Sequence, residues 1–216
     1  MSIGRGRWTG ISGLLFLVLV FIGIVFLGAE PALEASPAEV SSFFAERSRS
    51  YQIGALMVSI GLVFFIWFAS DVGDVIETAA VGHRSSAAVV RSTGSAAAVV
   101  LLIHFASFAA AAFRPLEVDQ QITSTLYDVS LLLTAPYALL LAGFLLAAGV
   151  GVLQTSALPS WLGWSAIASA LVRAPSAGSF FNDSGLLAAD SVLAMVGTLV
   201  WFLWVAAASI VLVARR

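Results

Sequence analysis

Residues 52–70 read QIGALMVSIGLVFFIWFAS, nineteen positions without a charged side chain. An α-helix needs about 20 apolar residues to cross a hydrocarbon core ~30 Å thick, so this stretch has the length and chemistry of one membrane span. Four more stretches of the same kind lie at 11–28, 94–113, 129–150 and 189–213, each free of Lys, Arg and Glu. A sixth, WLGWSAIASALVRAPSAGSFF at 161–181, is apolar and small for twelve residues before Arg173 and Pro175 interrupt it. These segments predict an all-α, polytopic membrane helix bundle of six transmembrane helices, the fifth of them broken. Residues 1–216 are expected to form one integral membrane domain.

Composition agrees with lipid as the solvent. Hydrophobic residues make up 60% of the chain, charged residues only 10%, and the mean hydropathy is +1.02, whereas soluble domains are about 25% charged. A net charge of −2 with no basic cluster argues against a nucleic-acid partner. Cysteine is absent, which excludes disulfides, thiolate metal sites and iron–sulfur clusters. All ten basic residues are arginine and alanine is abundant, a usage associated with GC-rich bacterial genomes and hence with a bacterial cytoplasmic membrane. The start, MSIGRGRWTG followed by ISGLLFLVLVFIGIVFLG, has the layout of a signal peptide. Its apolar run exceeds the 7 to 15 residues typical of one, so it reads as a retained first span.

With six spans, Arg5, Arg7, Arg84, Arg91, Arg215 and Arg216 fall on one side. The other side holds Arg47, Arg49, Arg114 and Arg173 among many acids. Cytoplasmic flanks retain positive charge, which places both termini in the cytoplasm. In the first outer loop, Ser36, Pro37 and Glu39 form a capping-box helix start. Val40, Phe43, Phe44 and Arg47 then follow at helical spacing, which predicts a short amphipathic helix on the outer membrane surface. An extension of the second span is the other reading of this segment. Trp8, Trp67, Trp161 and Trp164 fall near the expected interfaces, where indole rings anchor. Small residues crowd the third and fourth spans, allowing close helix packing within one chain or between two. The echo between MVSIGLVFFIW (57–67) and MVGTLVWFLW (195–204) is weak enough to be chance in so apolar a text.

AEVSSFFAERSRSYQIGAL (38–56), LPSWLGW (158–164) and the last Trp-containing span ending in VARR together resemble a family of small multi-span actinobacterial membrane proteins of unknown function. The resemblance would cover most of the chain and implies no activity and no catalytic residues. The acidic DVGDVIE stretch departs from the more basic run expected after the second span.

Few residues could carry chemistry. In FASDVGDVIETAAVGHR (68–84), helical projection at about 100° per residue places Asp71, Asp74 and Glu77 on one face and His83 nearly opposite Asp74. This is the wet end of a helix rather than a metal site. His104 is the deepest ionisable residue, near mid-span beside Ser107. Either it is a neutral packing residue, or it relays a proton or binds a polar ligand. Bis-His haem is discounted because His83 lies 21 positions away, about 31 Å along a helix. GWSA at 163–166, expected at the inner interface, would have to reach His104 near mid-membrane to act as a serine hydrolase. Arg173, at the APSAG break, needs a carboxylate such as Asp190 or Asp128, or an anionic ligand.

The expected cofactor and metal complement is none, and no catalytic set is assembled. The leading expectation is a non-enzymatic structural or interaction module working through the lipid bilayer, a homo-dimer contact or a partner membrane protein. The alternative is a small transporter or binding protein for an anionic or amphiphilic ligand, with Arg173, His104, Asp190 and Asp128 as its site. That alternative requires a polar cavity reaching Arg173 or His104.

Overall fold

The computed structural model describes residues 3–31, 34–79, 84–114, 117–182, 184–189 and 191–214, with the backbone alone for 3–7. His83 and Asp190 lie outside the described residues. Among the described residues seven α-helices follow one another: α1 (Ile3–Leu27), α2 (Pro37–Ala79), α3 (Arg84–Ala111), α4 (Gln120–Leu132), α5 (Thr134–Thr155), α6 (Ser160–Arg173) and α7 (Val192–Ala214). No strand occurs among the described residues. Among the described residues five helical stretches, rather than the expected six, are long and apolar enough to cross a membrane; α6, the expected fifth span, is too short to be one of them.

Antiparallel neighbours close into a ring in the order α1, α2, α3, α5, α6, α7 and back to α1. The register can be followed from contacts. Gly23 of α1 meets Gly54 of α2 at one end, while Thr9 of α1 donates to Asp71 of α2 at the other (3.2 Å). Trp204 Nε1 of α7 donates to the Leu162 carbonyl of α6 (3.0 Å), and Arg173 of α6 reaches Ala194 of α7. Phe65 on α2 fills the centre, touching Phe16 of α1, Phe144 of α5 and Trp201 of α7 with ring centroids 5.0 to 5.4 Å apart.

Small residues set the helix spacing. A Cβ on Gly149 of α5 would lie 2.7 Å from the Gly163 carbonyl of α6, and one on Gly23 would lie 2.9 Å from the Gly54 carbonyl. Such contacts replace side-chain interdigitation with backbone-to-backbone packing. The small residues of the fourth span are thus used within the chain at Gly149.

Helix breaks have local causes. Pro136 lies in the first turn of α5, where its ring and missing N–H disfavour helix through the Leu132 carbonyl; α4 ends there and α5 begins two residues on. The fifth span breaks where the sequence places it. α6 is 14 residues long and ends at Arg173, and a 3₁₀ segment, Ala174–Phe180, continues through Pro175.

The expected separate amphipathic helix does not form as such. Its residues are the first turns of α2, which runs unbroken for 43 residues, about 64 Å by helical rise. The capping box is in place: Ser36 N–H and Oγ both donate to the Glu39 carboxylate (2.8 and 2.7 Å). Neither Pro nor Gly lies between Phe43 and Gln52 to stop the helix. The apolar stripe also finds a protein partner, since Phe44 packs on Tyr51, Phe108 and Tyr127. Tyr127 belongs to α4, which caps this end of the ring and donates its hydroxyl to the Pro31 carbonyl (2.7 Å).

At the opposite end, the acids of DVGDVIE have partners from other helices. Arg91 of α3 donates through Nη1 to Asp74 (2.8 Å) and through Nη2 to Glu77 (2.7 Å). The face found by helical projection therefore meets α3 at Asp74 and Glu77 and α1 at Asp71 while staying partly exposed to solvent. Trp8, Trp67, Trp161 and Trp164 are all exposed at this end, with Trp8 and Trp67 6.0 Å apart, a girdle of the kind that marks an apolar-to-polar boundary.

Candidate functional site

The large cation in the bundle is Arg173, only 2% exposed. α6 holds it at its last turn, directed across to α7. Gly197 gives it room, since a Cβ there would lie 3.0 Å from Arg173 Cδ. Nη1 donates to the Ala194 carbonyl (3.0 Å) and to Thr198 Oγ1 (3.2 Å). The guanidinium carbon sits 4.3 Å from the ring centroid of Tyr137 on α5. Nε has no hydrogen-bond partner among the described residues.

No carboxylate among the described residues forms an ion pair with Arg173. Such a group is costly to bury unless something compensates its charge. Tyr137 and two neutral oxygens supply only part of that compensation.

A cavity of about 480 Å³ adjoins this arginine. Thr134, Tyr137, Ser176 and Thr198 give it polar wall, Glu30 borders it beyond the end of α1, and Phe21, Met195 and Leu199 form apolar sides. Phe21, Met195 and Leu199 are exposed on the outside of the bundle, so the cavity opens sideways between α1 and α7. Those helices are close at their other ends, where a Cβ on Gly10 would lie 3.0 Å from Val213 N. Next to it lies a smaller, apolar chamber of about 110 Å³, sharing Ile24, Tyr137, Thr198 and Phe202 with the first and reaching Phe16 and Trp201.

The other expected site residues lie elsewhere. Asp128 is exposed and borders a different cavity with Ser179 and Asn182. His104 is buried against Phe105 and Phe108 at centroid distances of 4.8 and 4.9 Å. Its Nδ1 lies 2.7 Å from the Ser130 carbonyl of α4, which ties α3 to the cap. Ser107 donates to its own helix at Ile103 (3.0 Å), so His104 and Ser107 form no relay. Ser165 of the GWSA segment likewise donates to Leu162 (3.1 Å).

Sequence reading therefore found Arg173 but missed Tyr137, Ser176, Thr198 and Gly197. Ser176 belongs to the irregular APSAG turn already singled out; the other three are ordinary helix residues whose role depends on register. No protein-family model matches this chain, nor does any curated protein or solved structure.

Proposed function

We propose that this is a multi-pass protein of a bacterial cytoplasmic membrane that binds an amphiphile with an anionic head, taken up from the bilayer through the gap between α1 and α7. Arg173 receives the head, and the apolar sides accept the tail. The observation that carries this reading is a buried arginine with an unfilled donor, no carboxylate partner among the described residues, and a cavity beside it. An anion there would complete the compensation that Tyr137, Ala194 and Thr198 begin. On the arginine count, the Tyr127 end faces outward and the ligand comes from the outer leaflet. Among the described residues no nucleophile–base pair is assembled near Arg173, which favours binding or transport over turnover.

The reading is tested with protein purified gently in detergent. Native mass spectrometry should show an anionic lipid retained by the wild type, and titration with dodecyl phosphate should saturate. Arg173→Gln, if it keeps the wild-type melting profile, should weaken dodecyl phosphate binding about tenfold or more, the worth of a charged hydrogen bond. Equal binding by the two proteins would overturn it.

A further inference from the structure

Between α6 and α7 the chain runs through 174–189, APSAGSFFNDSGLLAA, with a single charged side chain, Asp183. Its large apolar side chains are turned outward: Phe181 is 91% exposed and Leu186 75%, with Phe180 and Leu187 at 48 and 36%. So apolar an exposed stretch marks a contact surface.

Its level in the bundle follows from the helices around it. Ser179 Oγ lies 3.2 Å from the hydroxyl of Thr134, the first residue of α5, and Val192 beyond the connection is the first of α7. α5 and α7 are each about 33 to 35 Å long by helical rise, slightly more than a hydrocarbon core of ~30 Å. α6 alone rises about 21 Å from the tryptophan end, and the 3₁₀ segment adds about 14 Å. Both routes bring Phe180 and Phe181 to the membrane boundary opposite the tryptophans.

What covers the patch follows from what it joins. Val192 and Met195 are exposed, and at three- and four-residue spacing they carry the apolar surface on to Leu199, Leu203 and Ile210 along the outside of α7, the surface that a membrane-spanning helix gives to lipid. On the other side Phe180 and Phe181 share a hollow with Leu131 and Leu132, and Asp128, Ser179 and Asn182 form its polar edge. Irregular backbone exposed to lipid cannot sink into the hydrocarbon, but apolar side chains projecting from it can.

We propose that the α6–α7 connection is an interfacial anchor, its backbone among the lipid headgroups and Phe180, Phe181, Leu186 and Leu187 inserted into the acyl region of the leaflet on the Tyr127 side. It takes the role that the sequence suggested for the stripe of Val40 and Phe44, which instead packs on Tyr51 and Tyr127. Ser176 and Ala189, near the two ends of the same stretch, line the Arg173 cavity, so the anchor also ties one wall of that cavity to the leaflet. It rests on the membrane reading of the bundle and is independent of any ligand.

The chain has no cysteine, so Phe181→Cys, Leu203→Cys and Ser42→Cys each give one labelling position at an exposed side chain. Ser42 lies 25 residues before Trp67 on α2, about 38 Å by helical rise, and serves as the water reference. The three variants are labelled with an environment-sensitive fluorophore and placed in vesicles of phosphatidylcholine and phosphatidylglycerol. At 181 the emission should be blue-shifted from that at 42 and quenched more by a nitroxide near the top of the acyl chain than by one near its end; at 203 the order of the two nitroxides should reverse. Emission at 181 matching that at 42, with quenching by aqueous iodide instead, overturns the anchor while lipid quenching at 203 keeps the membrane reading. Loss of lipid quenching at 203 as well overturns both. Efficient joining of two Phe181→Cys chains by a bis-maleimide, unchanged on dilution with lipid, also overturns the anchor, by giving the patch to a second copy.

Discussion

The guanidinium of Arg173 lies over the ring of Tyr137, 4.3 Å from its centroid, so α5 supplies a π face where an ion pair would be expected. In a desolvated setting such a contact contributes about 2 kcal/mol. Tyr137→Leu should therefore lower the thermal midpoint by several degrees. Tyr137→Phe keeps the face over which the guanidinium lies and should stay within a degree or two. Melting curves of the three proteins in one detergent check this.

Gly149 and Gly163 hold α5 against α6. A valine at Gly149 would drive a side chain into the Gly163 backbone, which cannot swing aside as a long side chain can. Gly149→Val should cost about 1 to 3 kcal/mol through overpacking, while Gly143→Ala, with no atom nearer than 3.5 Å to the added Cβ, should be neutral or slightly stabilising. Chemical denaturation of both variants would separate these outcomes.

Arg91 bridges Asp74 and Glu77 between α2 and α3, with side chains 30, 46 and 33% exposed. Water and salt screen such pairs, so Asp74→Asn should cost less than about 1 kcal/mol. The loss should shrink further as salt is raised. A large, salt-independent loss would mean that the pair is more sheltered than its exposure indicates.

Ser36 caps α2 29 residues before Phe65, about 44 Å by helical rise. Ser36→Ala should destabilise that end by about 1 kcal/mol and speed amide exchange in the first turn of α2. Exchange near Phe65, at the bundle centre, should not change.

Much of this architecture is legible in the sequence because membrane-type helices announce themselves by length and apolarity alone. The break in the fifth span is legible too, since a charge and a proline at 173 and 175 cannot continue an apolar helix unchanged. What could not be read is which faces meet. The stripe of Val40 and Phe44 has the same pattern whether it lies on lipid or on another helix, and only the position of Tyr127 decides it. Asp74 and Glu77 look equally solvated in the string whether or not Arg91 is opposite. Arg173 stood out as an isolated charge, but its surroundings come from α5 and α7, and in the sequence nothing distinguishes Tyr137 or Gly197 from its neighbours.

The ring closes between α1 and α7, the first and last described helices, and the side cavity lies in that seam. As the chain emerges from the ribosome, Phe16 and Phe21 of α1 have to wait until α2 to α6 have been made before Trp201 and Phe202 of α7 cover them. Helices α1 to α3 can pair as they appear, each with the one before it, but the side cavity has no second wall until α7 has been made. A nascent protein is therefore open along the route proposed for a ligand, and α1 is the surface that would need shielding from wrong contacts until then.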